Sequence, residues 1–136
     1  MNGNVFTIMN IDAERKHPYT ALIIDDESDI CFLLSNILRN NNLQVQFVNS
    51  INEGKSYLKK NNPQLLFLDN HLPDGYGIDF ISYVKKEHAD TKIVMVTAHD
   101  TPEDRKKALQ EGADVFISKP FSASEIKKAI QQVYPD

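Results

Sequence analysis

The sequence predicts an α/β domain in which a five-stranded parallel sheet is covered on both faces by five helices. Three observations carry that prediction. The runs Ala21-Leu22-Ile23-Ile24, Leu65-Leu66-Phe67-Leu68 and Ile93-Val94-Met95-Val96 are unbroken apolar stretches of strand length, the pattern of strands buried on both faces. Between and after them lie segments whose apolar residues recur at the 3.6-residue period of a helix. Each run also ends on polar residues, Asp25-Asp26, Asp69 and Thr97, which puts reactive side chains at the carboxyl edge of one sheet.

With 136 residues the chain holds one domain with a real core and is too short for two ordinary ones. Apolar residues make up 41% and charged residues 25%, an ordinary globular composition that gives no hint of function. The formal net charge of −4 argues against nonspecific nucleic-acid binding, which depends on clustered Lys and Arg. Cys31, the one cysteine, has no partner for an intramolecular disulfide and is expected to be a small buried apolar residue. No apolar run approaches the ~18 residues of a membrane span, and the N-terminus lacks the features of a signal peptide. A cytoplasmic protein without membrane contact is the expectation.

Residues 1–18 read as an extension that is poorly ordered unless it docks. Val5-Phe6-Thr7-Ile8-Met9 has strand character there, but the following segment is polar and Pro18 interrupts it. The domain proper is expected over residues 19–134. After the first strand, Ile30, Leu33, Leu34, Ile37 and Leu38 form one apolar stripe of a helix that Asn40-Asn41-Asn42 ends. Val45-Gln46-Phe47-Val48 partly alternates, as a less buried strand would. Ser50 and Glu53 then make a capping-box signature for a second helix running to about residue 60.

The third strand, Leu65–Leu68, breaks at Leu72-Pro73-Asp74-Gly75 into a turn, and Ile78, Phe80, Ile81 and Val84 mark a third helix closing near His88. The fourth strand ends on Thr97. Thr101-Pro102-Glu103-Asp104 supplies an N-cap, a proline at the first helical position and two acids for the positive end of the dipole. Gly112 suits the stop of that fourth helix. Val115-Phe116-Ile117 is a short last strand before Lys119-Pro120. Ser122 and Glu125 form a second capping box, with Ile126, Ala129, Ile130 and Val133 on the inner face of the fifth helix.

The all-apolar first, third and fourth strands belong in the centre, and the alternating second and short fifth belong at the edges. Strand order 2-1-3-4-5 satisfies this with right-handed crossovers, which is the doubly wound, flavodoxin-like arrangement. Its switch point lies between strands 1 and 3, so Asp25, Asp26 and Asp69 converge on one crevice. Three carboxylates so close repel one another, and a hard divalent cation with oxygen ligands relieves that repulsion. Mg²⁺ leads, with Mn²⁺ an alternative. The bland reading makes Asp25 or Asp26 a helix cap, and Thr97 and Lys119 at further strand ends weigh against it.

At this point the residues carry a resemblance. Asp25-Asp26-Glu27, the run from Leu68 to Gly77, Val96-Thr97-Ala98 and Ser118-Lys119-Pro120-Phe121 resemble, in order and spacing, the CheY-like receiver domain of two-component response regulators. The resemblance spans residues 19–133. It implies that Asp69 accepts a phosphoryl group from the phosphohistidine of a sensor histidine kinase or histidine phosphotransfer protein. It implies that Asp26 and Asp69 bind Mg²⁺ directly, Asp25 through water, and the backbone carbonyl of His71 completes the protein ligands. It implies that Lys119, Thr97 and Ala98 contact the phosphate, that Thr97 and Phe116 form a switch, and that Lys119-Pro120 is cis.

His71, two residues after the acceptor, is the departure from the usual pattern. It is a candidate modulator of phosphoryl lifetime or a solvated loop imidazole, and His99 is expected to be exposed. The chain ends at Asp136, directly after the last helix. The expectation is therefore a stand-alone receiver, or the receiver part of a longer regulator, with no DNA contact of its own. The expected output surface is the face of the fourth helix, fifth strand and fifth helix, tinted basic by Arg105, Lys106, Lys107, Lys127 and Lys128. The last helix lacks the arginine of receivers paired with winged-helix outputs. Two other classes compete: a phosphorylation-independent binding module, and a Mg-dependent phosphohydrolase, which would carry an acid where His71 stands. As a receiver the chain would be no enzyme beyond catalysing its own phosphorylation and dephosphorylation.

Overall fold

A computed structural model describes residues 19–135, and the extension 1–18 lies outside the described residues. Strand β1 (Tyr19–Ile24) leads to helix α1 (Ser28–Asn40), β2 (Leu43–Val48), α2 (Ile51–Leu58), β3 (Leu65–Leu68), α3 (Gly77–Glu87), β4 (Lys92–Thr97), α4 (Pro102–Glu111), β5 (Val115–Ser118) and α5 (Ala123–Val133). The five strands form one sheet in the order β2-β1-β3-β4-β5, and every neighbouring pair is parallel. That is the expected doubly wound order. A two-residue antiparallel ladder, with His71 opposite Tyr76 and Leu72 opposite Gly75, is an addition that tightens the turn after β3.

Two apolar layers flank the sheet because alternate residues of each strand point to opposite faces. Ala21, Ile23, Leu65, Phe67, Val94 and Val96 pack with Leu34, Leu38, Ile126 and Ala129 on the α1 and α5 side. Leu22, Ile24, Leu66, Leu68, Ile93 and Met95 pack with Ile78, Phe80, Ile81, Val84 and Ala108 on the other. Cys31 is fully buried, as its composition context predicted.

The inner face of α1 differs from the expected stripe. Cys31, Leu34, Ser35 and Leu38 are its buried residues, whereas Leu33 is 47% exposed and Phe32 69% exposed. The stripe holds at Leu34, Leu38 and the half-buried Ile37 and fails at Leu33, whose place on the inner side is taken by Cys31 and Ser35.

The caps follow the sequence closely. Thr101 Oγ1 accepts the Asp104 amide at 3.0 Å, and the Ser122–Glu125 box is complete in both directions. The Ser50 box is half-formed: Ser50 accepts the Glu53 amide, but the Glu53 carboxylate takes the Asn49 amide instead. Asp74, from the turn after β3, accepts the Ile51 and Asn52 amides at 2.9 Å each, so an acid distant in sequence supplies what α2 needs at its start. Those bonds hold the Asp74 carboxyl below its ordinary pKa. Gly112 closes α4 at φ +123°, in the left-handed region that favours glycine. The Lys119-Pro120 bond is cis.

Candidate functional site

The sheet's carboxyl edge gathers the predicted residues from four elements. Asp69 follows β3 and is buried, its amide bonded to the Ile24 carbonyl of β1 at 3.0 Å. Its Oδ1 accepts the Asn70 amide at 2.8 Å. Asn70 in turn accepts the Gly77 amide on its carbonyl at 2.7 Å and the Ile78 amide on its side chain at 3.0 Å, which folds the turn back beside the acid. A Cβ on Gly77 would run into the Asp69 carbonyl, so only glycine permits that approach.

Asp25, at the end of β1, is buried and accepts the Glu27 amide at 2.9 Å. Its carbonyl takes the Asn49 side-chain amide at 2.9 Å and the Cys31 thiol at 3.2 Å. Burial pushes that thiol up to about 11, with the Asp25 charge adding to the effect, so Cys31 stays protonated. Asp25, Glu27 and Asp69 each offer a carboxylate oxygen within 4.8 Å of the others. Asp26 lies beside them with its side chain exposed and is not one of the three. The sequence motif includes Glu27 but assigns it no role. The signal available for it was the unbroken Asp25-Asp26-Glu27 run, in which either neighbour of the exposed acid can turn inward.

Among the described residues, one cation meets these acids. Lys119 Nζ lies 2.8 Å from Asp25, 2.7 Å from Glu27 and 3.4 Å from Asp69, with its side chain 9% exposed. Burial disfavours the ammonium, but hydrogen bonds to Asp25 and Glu27 and the charge of Asp69 outweigh it and hold its pKa above the usual lysine value. The Asp25 carboxyl moves up as well. Burial is the main cause, the Asp69 charge adds to it, and the bonds from Lys119 and the Glu27 amide offset it only in part. Three carboxylates share one ammonium, so the site keeps an uncompensated negative charge in an oxygen-only donor set. Such a set suits a hard divalent cation.

Thr97 is buried at the end of β4, and its hydroxyl accepts the His99 amide at 3.3 Å. Its carbonyl takes the Lys119 amide at 2.9 Å, tying the ends of β4 and β5 together. Ala98 is exposed beside it. His71 and His99 are both exposed, and their rings stack with centroids 3.7 Å apart while Tyr76 meets His71 edge-on. Those three side chains, with Asn70 and Lys107, line an open cleft of about 320 Å³ next to the acids. The ladder with Tyr76 fixes the backbone of His71. Phe116 is buried in the apolar layer that packs against α3 and α4.

A parallel sheet with an acid crevice at its switch point, a lysine on a cis-proline turn and a threonine at a neighbouring strand end defines a class of doubly wound α/β domains with an anionic site at the carboxyl edge. The comparisons say which one. The response regulator receiver domain family matches residues 21–131, and the chain belongs to that family. PhoB, the phosphate regulon transcriptional regulatory protein of Escherichia coli, is 36% identical over 114 residues, covering 82% of this chain and 50% of PhoB. The response regulator protein PilR of Pseudomonas aeruginosa is 32% identical over 110 residues, covering 81% of this chain and 25% of PilR. The chain thus spans half or less of the length of these curated relatives. Among solved structures, the beryllofluoride-activated NtrC4 receiver domain dimer aligns at TM-score 0.81 and 29% identity, over 85% of this chain and 95% of that one. The CheY-like receiver domain protein of Methanospirillum hungatei aligns at TM-score 0.80 and 26% identity, over 85% and 92%.

Proposed function

We propose that this receiver domain accepts a phosphoryl group on Asp69 from the phosphohistidine of a sensor histidine kinase or histidine phosphotransfer protein. The observation that carries the proposal is the buried Asp69 carboxylate sharing one lysine with Asp25 and Glu27. Chemically, an Asp69 oxygen attacks phosphorus, the P–N bond of the donor breaks, and its electron pair leaves on the imidazole nitrogen. Such a transfer needs positioning and charge neutralisation more than covalent help from the protein.

Each neighbour has a part in this. The Asn70 amide orients the Asp69 carboxylate by holding Oδ1. Lys119, a mobile point charge, exchanges an acid partner for a phosphoryl oxygen. The Thr97 hydroxyl accepts from His99 and keeps its own proton to donate to another phosphoryl oxygen. Ala98, exposed beside it, leaves room for that group. Mg²⁺, or Mn²⁺, held by Asp69, Asp26 and the His71 carbonyl with Asp25 through water, would neutralise charge on the phosphoryl oxygens. Glu27, which the fold turns toward the same point, is a further candidate ligand.

On this reading Thr97 and Phe116 relay the change to the face of α4, β5 and α5, where an output partner binds. His71, stacked on His99, tunes phosphoryl lifetime. The domain catalyses its own phosphorylation and dephosphorylation and turns over no separate substrate. Among the described residues no helix is long and apolar enough to cross a membrane, and a cytoplasmic site of action is part of the proposal.

Mg²⁺-dependent labelling by acetyl phosphate tests it. An acyl phosphate that forms in the wild type and is lost in Asp69→Asn is the expected result. Multiple turnover of phosphate esters, or no labelling at all, would replace the proposal with a hydrolase or a phosphorylation-independent binding module.

A further inference from the structure

The loop after Thr97 has little of its own to hold it, since Ala98, His99 and Asp100 are all exposed. Beside the His99 amide on Thr97 Oγ1 and the His99–His71 stack, a polar bracket ties it to α4 and β5. The Arg105 guanidinium on α4 donates from Nε to Asp100 Oδ1 at 3.2 Å and from Nη2 to Asp100 Oδ2 at 2.8 Å, a two-point grip. Ser118 of β5 donates its hydroxyl to the same Oδ2. The guanidinium also lies over the Phe116 ring, with Cζ 4.8 Å from the centroid. Phe116 itself is only 8% exposed.

These four residues join three elements at telling places. Asp100 stands three residues beyond Thr97, and Ser118 is the residue before Lys119. The Thr97 carbonyl to Lys119 amide bond is one link between those strand ends, and the bracket is a second link just outside it. We propose that Arg105 is a positioning residue: by gripping Asp100 and capping Phe116, it holds Thr97 and Lys119 in register for a phosphoryl group on Asp69.

The inference rests on the reading of Asp69 as acceptor. A group bound to a loop that must first be ordered binds more weakly by the fraction of molecules already ordered. Loss of the bracket therefore weakens binding of the phosphoryl analogue beryllofluoride. Binding of Mg²⁺ alone is spared, because no member of the bracket contacts the carboxylates.

The experiment titrates Mg²⁺ and then beryllofluoride into the wild type, Arg105→Ala, Asp100→Ala, the double variant and Arg105→Lys. The full chain carries 4-fluorophenylalanine at position 116 for ¹⁹F NMR. Arg105→Ala should bind beryllofluoride about threefold to tenfold more weakly, the scale of an exposed two-point ion pair with a ring contact, with unchanged Mg²⁺ affinity. The double variant should be no weaker than either single one, and Arg105→Lys should recover part of the loss. Equal beryllofluoride affinity in the wild type and Arg105→Ala would overturn the inference. So would a parallel loss of Mg²⁺ affinity, which marks general destabilisation. If the wild type itself fails to bind beryllofluoride, the acceptor reading falls, and the ¹⁹F signal of the ligand-free proteins decides the bracket. A shift or broadening in Arg105→Ala supports it, and an unchanged line removes it.

Discussion

Two clusters of charge stand on the same edge of the sheet and are built on opposite principles. In the crevice, Asp25, Glu27 and Asp69 share the single ammonium of Lys119, and all but Glu27 are nearly inaccessible to solvent. On the flank, one carboxylate, Asp100, meets one guanidinium, Arg105, and one hydroxyl, Ser118, with both ionised side chains partly in water. The first cluster is unbalanced and buried, so its charge has to be met by something that arrives. The second is balanced and solvated, so nothing is drawn to it and its worth lies in geometry. An acid pair or triad in a sequence is therefore informative only once its cations are counted.

The largest effect should separate the clusters by chemistry. Asp69→Asn is expected to abolish Mg²⁺-dependent labelling by acetyl phosphate, while Asp100→Asn retains it, as intact-protein mass spectrometry would record. Labelling of both or of neither would erase the distinction between them.

Next comes stability. Lys119→Ala leaves three carboxylates without their cation, and removal of one partner from a buried ionic cluster costs about 3 kcal/mol. Urea unfolding of the chelated protein should show that loss, and millimolar Mg²⁺ should restore part of it. Arg105→Ala should lose far less, because exposed ion pairs contribute little, and Mg²⁺ should recover none of it.

The smallest effect is in pH, where the two clusters should have opposite signs. The folded pKa of Asp25 lies above the unfolded value of 3.8, so the native state holds the proton more tightly. In metal-free protein its penalty is complete at neutral pH and is relieved as pH falls through the raised folded value toward 3.8. The folded pKa of Asp100 is depressed, through its bonds from Arg105 and Ser118. Its contribution is present in full above 3.8 and is lost as pH falls through the lower folded value. Unfolding midpoints measured from about pH 3 to pH 7 should show Asp25→Asn removing the first dependence and Asp100→Asn the second. If both substitutions flatten the profile in the same direction, the clusters are not opposites.

Much of this was legible before any coordinates. The three apolar runs, the Thr101 and Ser122 caps, Gly112 and the break after β3 are all properties of a few consecutive residues, and each stands where its local pattern placed it. The strand order followed as well, because which strands are apolar throughout decides which are central. The two-step signature of acids and lysine at strand ends was equally readable, since parallel strands bring their carboxyl ends to one edge.

Other features had no local signal. Whether Leu33 or Cys31 flanks Leu34 and Leu38 on the inner face depends on how α1 rolls against β1 and α5. Whether Glu27 or Asp26 joins Asp69 depends on the first turn of that helix and on Lys119, which lies 92 residues from Glu27. The Asp74 carboxylate reaches the start of α2 across 22 and 23 residues, and Ser118 joins Asp100 from 18 residues away, although Arg105 stands only five residues from Asp100. By itself the sequence determined the elements, their order in the sheet and the acid at the tip of β3, because propensity, capping and apolar period act over a few residues. Only the tertiary structure decided which acids share the lysine and what steadies the loop after Thr97. Those outcomes depend on the relative placement of strand ends, which exists only once the sheet has closed.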